Sequence, residues 1–179
     1  MSIKHAILGF LSWRSLAGYD LKKMFGEAGF IYWAGTNNQI YSTLVELARQ
    51  GLVSSEIQQP ERGPARKVYT ISETGRAELA SWLTSAPEPP EVHDAFLLRL
   101  AWADQLDDTA LDDLFAAYER ELEMQALMAQ ELDRRGRLRP DRTPRERYLW
   151  DRIAQNRVEQ FENELTWARE TRNGLRLRR

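Results

Sequence analysis

Ala86-Pro87-Glu88-Pro89-Pro90 cuts the chain in two. Each proline lacks a backbone donor and fixes its own φ, so no helix propagates through the run and the segment is stiff. This sets two regions, 1–86 and 91–179, each the size of a small domain. Hydrophobic residues at 42% and charged ones at 29% suit globular folding on both sides. No apolar run approaches the ~18–20 residues of a membrane span. Ala6–Leu11 is apolar but has no small-residue cleavage site after it, which predicts a helix and not a leader. With no cysteine there is no disulfide framework or thiolate metal site, and a cytoplasmic location is expected.

Charge is shared unequally across that divide. The net −2 splits into nine Lys/Arg against seven Asp/Glu up to residue 86, and sixteen against twenty beyond it, with all four lysines in the first half. A mildly basic front half on an acidic protein suits a local phosphate-binding face.

The first half reads as helix, helix, helix, hairpin, helix. Ile3–Trp13 carries an apolar stripe of Ile3, Ala6, Ile7, Phe10 and Leu11. After a break at Ser15–Gly18 comes Tyr19–Glu27, then an aromatic cluster of Phe30, Tyr32 and Trp33. Thr36–Gly51 is the most informative stretch. Thr36 and Gln39 have the spacing of a capping box, and Gly51 suits the position just past a helix end. Ile40, Leu44, Leu47 and Ala48 share one face. The other face carries Asn37, Asn38, Gln39 and Ser42 with Tyr41 at its edge, amide and hydroxyl groups of the kind that meet base edges and phosphates.

Leu52–Gln58 and Arg66–Ile71 then read as antiparallel strands around the Pro/Gly loop Gln59–Ala65. Ser72 caps a helix, Glu73–Leu83, with Leu79, Trp82 and Leu83 expected to face inward. In a winged helix–turn–helix the third helix enters the major groove and the hairpin lies on the neighbouring backbone. Asn38, Gln39 and Ser42 then supply base contacts, while Arg62, Arg66 and Lys67 on the wing neutralise phosphate.

The second half is helical. Val92–Leu106 carries Phe96, Leu97, Leu100 and Ala101, with Trp102 alongside. Thr109 with Asp112 opens a helix to about Arg135 whose inward set runs from Leu111 through Phe115 and Leu122 to Leu132. The arginine-rich turn that follows reads as a solvated helix end. Thr143-Pro144-Arg145-Glu146 is a capped start for a helix to about Arg172 with the stripe Trp150, Ala154, Val158, Phe161, Leu165 and Ala168. Two helices this long need each other and a second chain to bury their apolar faces. Trp150, Val158, Phe161 and Leu165 are the expected homodimer contacts. An aromatic effector site is expected near Trp33, Phe96 and Trp102.

The chain has no Gly-rich phosphate loop, no nucleophile paired with a base and no metal-ligand spacing around His5 or His93, so neither catalysis nor a cofactor is expected. The rival reading is a winged-helix adaptor that binds protein.

Residues 4–76 resemble the winged-helix domain of PadR-type transcriptional regulators through AILGFL, GYDLKK, IYSTLVELARQGLV and RKVYTISETGR, in that order. The second half, ending in QFENELTWARE, resembles the longer-tailed branch of the family. The resemblance implies a homodimeric, ligand- or stress-responsive repressor of double-stranded operator DNA, with Tyr41 and Tyr19 matching family tyrosines of the third and second helices. Arg66-Lys67-Val68 before Tyr69 departs from the family wing. The expected fold is mainly α with a small β-hairpin: an N-terminal winged helix–turn–helix and a C-terminal antiparallel helical dimerisation domain.

Overall fold

Ile7, Leu8, Leu11, Leu21, Leu44 and Leu47 are almost wholly withdrawn from solvent, and they come from three helices that the sequence pattern separates. A computed structural model describes residues 3–28, 37–59, 65–87, 94–136, 140 and 142–177. The chain forms two compact units, Met1–Glu88 and Pro89–Arg179.

In the first unit, α1 (Ile3–Trp13), α2 (Gly18–Glu27) and α3 (Asn37–Arg49) pack around that core and are followed by β2 (Val53–Gln58), β3 (Arg66–Ile71) and α4 (Glu73–Thr84). Between α1 and α2 lies a two-residue strand that the sequence reading took for a plain break. This β1 (Leu16–Ala17) pairs with β3 at Tyr69 and Val68, so the expected hairpin is a three-stranded antiparallel sheet in the order β1-β3-β2. Along the wing, Ile57 sits opposite Lys67 and Gln58 opposite Arg66. The unit is a winged helix–turn–helix.

Helix ends follow local chemistry. Asp20 accepts from the Ala17 amide at 3.3 Å, closing the start of α2. Gly51 adopts φ 71° after α3, the left-handed conformation that glycine takes without strain. Ser72 accepts from the Gly75 amide at 3.0 Å, as its capping role requires. The inward face assigned to α4 needs correction: Trp82 and Leu83 are 46% and 67% exposed, and the buried residue of the helix is Gly75. Trp82 instead stacks on His5 at 4.5 Å with the rings 6° from parallel, while Lys4 pairs with Glu78 at 2.5 Å. Both contacts fasten α1 to α4.

The second unit is a helical hairpin with a short helix against it. In place of one helix over Val92–Leu106, α5 (Ala95–Leu100) is followed by a 3-10 turn at Ala103–Gln105. The Trp102 amide reaches back only three residues, to Arg99 at 3.2 Å, which tightens the spiral and ends the α-helix. α6 (Asp108–Arg135) is capped by Asp107, whose carboxylate accepts from Ala110 at 2.8 Å, and not by Thr109. Gly136 closes it at φ 56°. α7 (Pro144–Arg176) starts at the expected Thr143 cap and runs past Arg172. Arg172 meets Asp112 while Gln130 meets Glu162, so α6 and α7 run antiparallel. Phe96 plugs this hairpin: it stacks on Tyr118 at 3.7 Å and meets Phe115 and Trp167 edge-on.

Candidate nucleic-acid interface

α3 has one buried face and one open one. Ile40, Leu44 and Leu47 hold it on the core, while Asn38, Gln39, Tyr41, Ser42, Val45 and Arg49 are exposed. The buried set fixes which way the helix is turned, so the open set follows from it without further interactions. Ser42 donates to the Gln39 carbonyl at 3.1 Å, a backbone contact that leaves hydroxyl lone pairs facing outward.

Tyr41 is placed by α2. Its ring lies over Gly18, where an added Cβ would be 3.1 Å from Cδ1 and 3.3 Å from Cζ, and nearer still to Cε1. Glycine at the head of α2 therefore lets the two helices of the motif approach, and the Tyr41 ring fills the space a side chain would take. Tyr19, the next residue, is 69% exposed. Both tyrosines thus flank the same junction.

At the far end of α3, Arg49 forms a two-pronged pair with Glu46 at 2.8 and 2.6 Å, and Gln50 donates to the same carboxylate at 2.6 Å. The Arg49 hydrogen bonds, helped by Gln50, hold the Glu46 carboxyl down at about 2. The pairing turns the exposed guanidinium back along the helix towards Glu46.

On the wing, Arg66 and Lys67 are exposed, and the Lys67 ammonium lies 5.5 Å from the centre of the Tyr69 ring, a cation–π contact that limits where the charge can swing. Ile57, across from Lys67, is 78% exposed. Arg62 and Trp33 lie outside the described residues. Asn37 is the first residue of α3. Among the described residues, no group of three His, Cys, Asp or Glu is placed to hold a metal ion, and no helix is long and apolar enough to cross a membrane.

Of the residues expected at an effector site, Phe96 is buried in the packing of the second unit, and Trp102 is exposed. Trp150, Val158, Phe161 and Leu165 are part-buried on α7, and Phe161 lies under the Arg157 guanidinium at 4.4 Å. The apolar side chains left open on the hairpin include Met124, Leu127 and Met128 on α6 and Tyr148, Leu149 and Ile153 on α7. The sequence reading missed these, and it missed Val45. The signal for Met124, Leu127 and Met128 was present, since they recur at helical spacing off the inward stripe.

Residues 7–81 match the transcriptional regulator PadR-like family. The negative transcriptional regulator PadR of Bacillus subtilis is 32% identical over 114 residues, 63% of this chain and 63% of that protein, so the aligned stretch spans less than two thirds of the relative's length. The structure is similar to Bacillus subtilis PadR in complex with operator DNA, with TM-score 0.81 and 25% identity over 96% of this chain and 97% of the other. It is also similar to the same protein in complex with p-coumaric acid, with TM-score 0.76 and 26% identity over 96% of each.

Proposed function

We propose that this chain is a PadR-like transcriptional regulator, as its match over residues 7–81 and its similarity to the Bacillus subtilis regulator support, and that it is a repressor that binds an inverted-repeat operator as a homodimer in the cytoplasm. It acts by binding and not by catalysis. The observation that supports this most directly is the open face of α3, an amide- and hydroxyl-bearing surface held outward by Ile40, Leu44 and Leu47. In this reading residues 1–86 bind DNA and 91–179 dimerise. Asn37, Asn38, Gln39, Tyr41 and Ser42 enter the major groove, Tyr19 lies at its edge, and Arg62, Arg66 and Lys67 sit on the backbone. The open apolar groups of α6 and α7, with the part-buried Trp150, Val158, Phe161 and Leu165, meet a second copy. The Bacillus subtilis relative in complex with p-coumaric acid supports a small aromatic effector here, with Trp33, Phe96 and Trp102 as the residues to test.

The experiment is a gel shift with duplexes from upstream of the protein's own coding region, repeated across salt concentrations. Asn38→Ala costs roughly 1–3 kcal/mol at one operator position. Arg66→Ala weakens all sequences alike and flattens the log–log salt slope by about one. Arg66→Ala changing base preference while leaving the slope intact refutes this division of roles. Retardation of no duplex refutes DNA binding.

A further inference from the structure

Among the described side chains on the open face of α3, Val45 is the one that can neither donate nor accept a hydrogen bond, and it is 61% exposed. On the helical wheel it falls between Asn38 and Tyr41, in the middle of the open face and not at its border. Tyr41 lies one turn before it, about 6 Å along the axis, and Arg49 one turn after it, tied to Glu46.

Valine has nothing to gain there within the chain. A β-branched side chain loses rotamer freedom in a helix, and this one recovers little by burial. A single exposed valine is ordinary on most surfaces. At the centre of a face that approaches base edges, however, it must displace water from whatever it meets. Of the four bases, only thymine presents an apolar group in the major groove, its C5-methyl. The amino and carbonyl groups of the other base edges would be left without water or a partner beneath an isopropyl group, which costs binding free energy.

We propose that Val45 reads the C5-methyl of a thymine, so that each operator half-site carries an A·T pair next to the position read from the first turn of α3. This rests on the DNA-binding function proposed above and deepens it, since it names what the middle of the helix selects.

The test uses full-length protein and the duplex it enriches from a random-sequence pool. Each thymidine of that duplex is replaced in turn by deoxyuridine, which removes the methyl and keeps the pairing. Wild type is expected to lose about fourfold in affinity at one position per half-site, the worth of one buried methyl. Val45→Ala should bind the thymidine and deoxyuridine duplexes alike, and Val45→Ile should restore the difference. Circular dichroism of each variant checks that α3 is intact, as an exposed position predicts. Equal affinity of wild type for every deoxyuridine duplex overturns the proposal while leaving DNA binding in place, and so does a Val45→Ala variant that keeps the full fourfold. Enrichment of no duplex at all overturns both this and the function it rests on.

Discussion

Gly75→Ala is the substitution whose sign the structure decides against intuition. In an exposed helix interior, replacing glycine by alanine stabilises by up to ~1 kcal/mol, because alanine has less backbone freedom to lose. Gly75 lies in the first turn of α4, which is seated on the backbone around Gly51 and Leu52. The Ser72 amide donates to Leu52 at 3.0 Å, and Ser72 and Thr74 hydroxyls donate to the Gly51 carbonyl at 2.7 and 2.9 Å. A Cβ on Gly75 would stand 2.9 Å from Ile71 Cγ1 and 3.1 Å from the Leu52 carbonyl carbon, and closer again to that carbonyl's oxygen. Ordinary carbon–carbon contact is about 3.5–4.0 Å, so the helix must lift or the strand must bend. Overpacking of this kind costs about 1–3 kcal/mol, and lifting α4 also strains the three hydrogen bonds. A net loss of roughly 2 kcal/mol is expected, a drop on the order of 8–16 °C in the melting of a domain this size. Gly9→Ala is the internal control: it makes the same chemical change in α1, but nothing lies within 4 Å of the new Cβ, and it should stabilise by several tenths of a kcal/mol. Urea and thermal unfolding of both variants measure the pair. A Gly75→Ala protein as stable as wild type would refute the seating of α4 on Leu52.

Arg172 grips Asp112 through two nitrogens at 2.9 and 2.6 Å and reaches Glu119 at 3.2 Å. Arg172→Ala should cost about 1–2 kcal/mol of stability, and Arg172→Lys should recover less than half of it, because an ammonium has no fork to match a carboxylate; equal stability of the two variants would sink that reasoning. Glu131 is held down at about 2 from 4.5, by hydrogen bonds first from Arg134 and then from Arg135. Its pairs therefore contribute fully above about pH 4.5 and are lost as pH falls towards 2. Carboxyl NMR should show that midpoint together with fraying of the last turn of α6, and a midpoint at the ordinary glutamate value would show the pairs absent in solution.

Much of the fold was legible because its cues are local. The bounds of α1 and β3 follow from stripe and alternation, and the cap at Thr143 from a four-residue pattern. β1 was not legible, since Leu16–Ala17 is an apolar pair with no period of its own, and only the edge of β3 makes it a strand. The early end of α5 was hidden by Leu97, Leu98, Leu100 and Trp102, whose apolar character extends the helical pattern although several of them stay exposed. At the candidate interface the polar members of α3 were visible in sequence because their chemistry stands out against the buried stripe. Val45 was invisible for the opposite reason, since an apolar residue in a helix is counted towards the core until the structure shows which way it points. Gly18 was likewise unreadable, because its value lies in the Tyr41 ring above it.

β1 also has an engineering consequence. Ala17 pairs with β3, Gly18 follows it directly, and Tyr41 rests on Gly18, with the Ser15 hydroxyl 2.7 Å from that of Thr70 as a further rivet. Wing and α3 are thus geared together through residues 15–18 and Tyr41. A chimera that imports a foreign wing without its matching residues 15–18 inherits a misaligned tyrosine, so under the proposed DNA-binding function a change of operator means transplanting both pieces as one cassette.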